Sequence, residues 1–116
     1  MEKMIKLHIL GTEYDWHEVN DDEFEEIEKR SGLENSDGIH FGCDAVVYIN
    51  LDRVEKYKGG GERLTDGYKK HVRRHELLHA FACTSGFDER LCEGVIEWIA
   101  THLPKIITAC EEVGAL

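Results

Sequence analysis

The chain has 116 residues, 41% hydrophobic and 33% charged, and its 24 acidic residues against 14 basic ones give a formal net charge of −10. Those proportions exclude a largely disordered chain and predict one folded domain over residues 1–116, while the negative charge argues against a nucleic-acid backbone or an anionic membrane as the main partner. No run of 18 apolar residues is present, and Met1-Glu2-Lys3-Met4-Ile5-Lys6 lacks the apolar stretch of a signal peptide, so the expected location is cytoplasmic.

Residues 3 to 9 approach the alternation of a half-buried strand, Gly11-Thr12 punctuates them, and a second extended stretch runs near residues 14 to 19, which together predict an N-terminal hairpin. Asn20-Asp21-Asp22-Glu23 offers an N-cap and an acidic first turn, and Phe24, Ile27 and Glu28 mark a short packing helix ending near residues 30 to 32. Residues 31 to 38, rich in Gly, Ser, Asn and Asp, read as a loop. Residues 39 to 42 and then Ala45-Val46-Val47-Tyr48-Ile49 read as extended, the latter as a central or edge strand whose residues from Cys43 to Tyr48 are candidate cleft lining by analogy with zinc hydrolases. Lys58-Gly59-Gly60-Gly61-Glu62 is a flexible break too short to separate domains.

A long helix is expected from about Thr65 to a stop at Gly86. Asp88 then caps a second, whose apolar stripe is Cys92, Ile96, Ile99, Ala100 and Leu103. Pro104 lies inside that pattern and predicts a kink or break, because it lacks a backbone donor and crowds the preceding turn. Residues 111 to 116 are expected to fray. Trp16 and Trp98 read as core aromatics. The four cysteines (Cys43, Cys83, Cys92, Cys110) contain no CxxC pair and fit reduced thiols, most of them small core residues.

The chemistry concentrates in His75-Glu76-Leu77-Leu78-His79. Residues four apart share a helix face, so the two imidazoles can hold one metal ion at ~2.0–2.1 Å each. Glu76 lies roughly 100° round from His75 and about 60° from His79, beside the pair, where it can reach a metal-bound water as a base. In a chain with seven histidines and 24 acidic residues the pentapeptide alone proves little, so its setting has to carry the case.

Two histidines leave a tetrahedral zinc two ligands short, and a catalytic site normally fills one from protein and leaves one for water. Glu93 stands fourteen residues beyond His79, on a helix that can fold back to bring it opposite the pair. Gly94 beside it would allow close helix approach. Glu97, one turn on, is placed to accept from the far nitrogen of a ligating histidine, and is the substitute ligand if Glu93 does not serve. His71 continues the series with His75 and His79, either at the mouth of the site or on an exposed face, and Tyr68 and Tyr48 are candidate oxyanion donors lining a cleft.

This arrangement resembles that of the gluzincins. More narrowly, His8-Ile9-Leu10-Gly11-Thr12-Glu13-Tyr14, Arg74-His75-Glu76-Leu77-Leu78-His79-Ala80-Phe81 with Ser85-Gly86, and Glu93 to Ala100 with Leu103-Pro104-Lys105-Ile106 resemble a family of small prophage-encoded zincin-like proteins, related in style to the ImmA/IrrE metallopeptidases. The resemblance is strongest from Val72 to Ile106 and weak from Glu18 to Arg63. It departs at two positions, with Cys92 where an Asn is expected and Glu97 where an Asp is expected, the latter lengthening that arm by one methylene.

The expected fold is therefore α+β and zincin-like, a small twisted N-terminal sheet with an active-site helix and a C-terminal helix carrying the third ligand. The expected function is a zinc-dependent metallopeptidase acting on a protein or peptide substrate, with His75, His79 and Glu93 on Zn2+, Glu97 behind them and Glu76 as general base. The competing expectation is a zincin-fold binding or regulatory module with weak or no peptidase activity.

Overall fold

The computed structural model describes residues 3–31, 38–41, 45–50, 52, 62–87 and 89–116. Strand β1 (Lys3–Ile9) and strand β2 (Thr12–Val19) pair antiparallel across a two-residue turn at Leu10 and Gly11, both with positive φ, as the predicted hairpin requires. Helix α1 (Asp21–Ser31) follows at once. Its N-cap is Asn20, whose Oδ1 accepts from the Glu23 amide at 2.9 Å, and the acidic first turn and basic last turn both suit the helix dipole. Strands β3 (Gly38–Phe41) and β4 (Val46–Asn50) complete a four-stranded mixed sheet in the order β1-β2-β4-β3. β4 is central, parallel to β2 and antiparallel to β3. The predicted α+β class holds. The break at residues 58 to 61, the cap at Asp88, and Cys43 and Cys92 lie outside the residues whose side chains are described.

Strand parity divides the core. On one face Ile9, Tyr14, Trp16, Val47 and Ile49 pack with Val72 and Ala80 of helix α2 (Glu62–Thr84), which begins one turn earlier than the expected Thr65. On the other, Val19 and Phe24 pack with Ile27 and Tyr48, placing α1 on the far side. The two faces are joined to the helices by polar links as well as apolar ones. Tyr14 and Thr84 share a hydrogen bond at 2.9 Å between their hydroxyls, and buried Asn50 donates to Asp21 Oδ1 at 3.0 Å.

The sheet face also carries an ion pair that the sequence reading did not anticipate. Glu18 follows Tyr14 and Trp16 by alternation onto the α2 side and is 2% exposed. Arg73 grips it through both oxygens, Nε to Oε2 at 2.8 Å and Nη2 to Oε1 at 2.9 Å, and Trp16 Nε1 donates to Oε2 at 3.0 Å. Burial pushes the Glu18 carboxyl up, but these donors and the Arg73 charge outweigh it and hold the group below its ordinary value.

Helix α3 (Glu89–Glu112) folds back on α2 after a turn at Ser85 and Gly86. Gly86 has φ 83°, with its amide on the Cys83 carbonyl and the Phe87 amide on the Ala82 carbonyl, the Schellman stop expected there. Ile96 and Ala100 are buried and Ile99 and Leu103 half-buried, as the stripe predicts.

Several expectations for α3 need correction. The helix runs through Pro104 to Glu112, so the proline does not break it. The carbonyl that Pro104 deprives of a partner is that of Ala100, and Arg74 Nε of α2 donates to it at 2.7 Å, so the loss is made good by the neighbouring helix. Residues 111 and 112 continue the helix. It closes in a second Schellman arrangement, with the Ala115 amide on the Cys110 carbonyl at 2.7 Å. Gly94 is exposed and nothing lies within 4 Å of where a Cβ would stand, so helix approach does not depend on it. Trp98 is 58% exposed beside His102, not a core aromatic, whereas Trp16 is buried. Cys83 is exposed and Cys110 half-buried. No helix among the described residues is long and apolar enough to cross a membrane.

Candidate metal centre

On α2 the residues facing the sheet are Val72, Glu76 and Ala80, one turn apart and all buried. Rotated from them, towards α3, stand His71, His75 and His79. The histidine stripe is therefore flanked by the core stripe, and Phe81 is left 40% exposed. Because α3 runs back along α2, its own one-turn pair Glu93 and Glu97 meets this stripe in reverse order, Glu93 beside His79 and His75, Glu97 beside His75 and His71.

The distances define a converging set. His75 Nε2 lies 3.1 Å from Glu93 Oε1, His79 Nε2 3.0 Å from Glu93 Oε2, and the two Nε2 atoms 3.0 Å from each other. Donor atoms around a tetrahedral ion with bonds of ~2.0–2.1 Å stand roughly 3.3 Å apart, so the three side chains fit one ion with little movement. Each offers a ligand atom, all within 4.8 Å of one another, and this group could hold a metal ion. The histidines are mostly enclosed, with side chains 17% and 12% exposed, while Glu93 at 61% closes the set from the open side.

Glu97 fixes the state of His75. Its Oε2 accepts from His75 Nδ1 at 2.7 Å, and a carboxylate can only accept, so Nδ1 carries the proton and the lone pair of Nε2 faces the space between His79 and Glu93. The other oxygen, Oε1, accepts from His71 Nε2. Burial pushes the Glu97 carboxyl up, but the hydrogen bonds from His71 and His75 outweigh it and keep it below its ordinary value, hence ionised. Tyr68 lies parallel to His71, ring centroids 6.4 Å apart.

These groups open into one cavity of about 390 Å³, lined from α2 by Tyr68, His71, His75, Glu76 and His79 and from α3 by Glu93 and Glu97. Its sheet-side wall is Gly38 of β3, which sequence reading assigned to the end of a loop. A Cβ at Gly38 would stand 2.5 Å from Glu76 Cγ, 2.7 Å from Cδ and 2.8 Å from Oε2, so only glycine leaves room for the Glu76 carboxylate where it is. The one signal in the sequence is a glycine leading a predicted strand, and that signal does not name its neighbour.

The candidates thus divide. His75, Glu76, His79, Glu93, Glu97, His71 and Tyr68 meet at one cavity as the spacing predicts. Tyr48 does not. It lies on the opposite sheet face, against Val19 and Phe24, and stacks on His17 at 5.0 Å, because Val47 and Ile49 take the α2 side and strand parity sends the residue between them away. Ala45 packs against the core cluster instead of lining a cleft.

No protein-family model, no curated protein and no solved structure matches this chain.

Proposed function

We propose that the chain is a zincin-like, zinc-dependent peptidase of the small prophage-encoded type, acting on a protein or peptide substrate in the cytoplasm. The observation that supports this most is the convergence of His75, His79 and Glu93 within 4.8 Å at a cavity that a buried acid, Glu76, also lines. Two imidazole nitrogens and one carboxylate are a donor set for catalytic zinc, with one position left over. Zinc held there would lower the pKa of a bound water to about 7 and polarise a substrate carbonyl.

The chain's own residues supply the rest. Glu97 holds His75 in the tautomer that presents Nε2 to the metal. Glu76, walled by Gly38 and 9% exposed, takes a proton from the attacking water and returns it to the leaving amine. Its rigid seat keeps that transfer to one place in the cavity. Comparison of protein fragments in cells producing the chain or its Glu76→Gln variant tests the reading. The variant retains zinc and loses the proton carrier, so cleavage products present with the parent chain should vanish. Identical fragments from both would refute peptidase action.

A further inference from the structure

His71 stands one turn before the first histidine of the cluster, and its Nε2 meets Glu97 instead of joining the metal set. Its Nε2 donates to Glu97 Oε1, while Glu97 Oε2 accepts from His75 Nδ1 at 2.7 Å. We propose that His71 is a positioning residue for the metal centre, clamping Glu97 so that Glu97 in turn fixes the ring of His75. The inference rests on the metal-centre reading and goes beyond it, since His71 is outside the set that could hold the ion.

The need for a clamp follows from the arm. A glutamate has one more rotatable bond than an aspartate, and the Glu97 side chain is 49% exposed, so a single hydrogen bond to His75 would leave the carboxylate free to swing about it. The second bond, from the same helix that carries His75, removes that freedom. His71 is itself held. Its side chain is 25% exposed, and the Tyr68 ring lies parallel to it at 6.4 Å, one turn earlier on α2. The order Tyr68, His71, Glu97, His75 is thus a line of contacts ending at a metal-facing nitrogen, and the aim of that nitrogen sets how well the three donors converge.

Zinc affinity of the full chain, measured by competition with a chromophoric chelator, tests the proposal through a readout other than turnover. His71→Ala should weaken zinc binding by about tenfold, the lower end of what losing a partner behind a ligand costs. His71→Phe keeps the ring against Tyr68 and should show the same loss, and His71→Gln, whose amide can donate, should recover part of it. In a Glu97→Ala background the His71→Ala change should cost less than about twofold, because its route is gone. Undiminished affinity in folded His71→Phe, or an equal loss with and without Glu97, overturns the clamp while leaving the centre standing. A parent chain that binds no zinc overturns both.

Discussion

Helix α2 carries two charged clusters on adjacent faces, and they are built to opposite ends. Towards the sheet, Glu18 is 2% exposed and receives three donors from Arg73 and Trp16, so every polar atom of the carboxylate is engaged. Towards α3, Glu93 and Glu97 keep side chains 61% and 49% exposed above nearly enclosed histidines, and the group opens into a cavity. A saturated ion pair whose carboxylate is buried holds the helix to the sheet. An open one, whose donors converge on a point instead of on each other, is shaped to take something in. Ionisable residues alone do not separate the two roles; saturation and access do.

The largest effect on stability should come from breaking the closed cluster. Glu18→Ala removes the carboxylate that Arg73 grips and should lower unfolding free energy by about 2 kcal/mol, since Arg73, 34% exposed, regains part of its hydration; urea unfolding reads the loss, with zinc affinity of the folded chain unchanged. The same cluster predicts the acid response. The folded Glu18 pKa lies below its ordinary 4.5, so its contribution is fully present above that value and is lost as pH falls through the folded pKa. Unfolding midpoints taken from neutral pH downward should decline in that window, and Glu18→Gln should flatten the decline.

The open cluster is probed next by Gly38→Ala. The added methyl would meet Glu76 Cγ at 2.5 Å and must displace it, so the proposed peptidase activity should fall by up to about a hundredfold while zinc content holds. Equal activity would mean that Glu76 is not held by β3. The smallest effect lies between the clusters, where Arg74 Nε serves the Ala100 carbonyl. Arg74→Ala should cost about 1 kcal/mol by thermal or urea unfolding, and adding Pro104→Ala, which restores an amide donor to that carbonyl, should recover most of it.

What was legible in the sequence is what a single element's geometry dictates. The period of 3.6 puts His71, His75 and His79 on one stripe and Glu93 and Glu97 on another, and a short turn stopped by Gly86 lets the second fold onto the first. The hairpin, the Asn20 cap and the extended run that forms β4 follow from equally local rules, whereas the central place of β4 depends on its partners. What was not legible depends on partners distant in sequence. Tyr48 was assigned to the cleft because alternation tells which residues share a face but not which face meets α2. Pro104 predicts a kink or a break, and the break does not occur because the donor that serves Ala100 comes from another helix. Gly38 and the Glu18–Arg73 pair became visible only once β3 and α2 were side by side. Trp98 reads as core by type, yet it stands outside the stripe formed by Ile96, Ile99, Ala100 and Leu103.

Whether His75, His79 and Glu93 form a metal centre is tested most directly by metal analysis of the purified full chain. After dialysis against buffer with trace zinc, the parent chain should retain about one zinc per molecule and the His79→Ala variant almost none, with both equally folded by circular dichroism. Equal zinc content in the two, or none in either, would contradict the account.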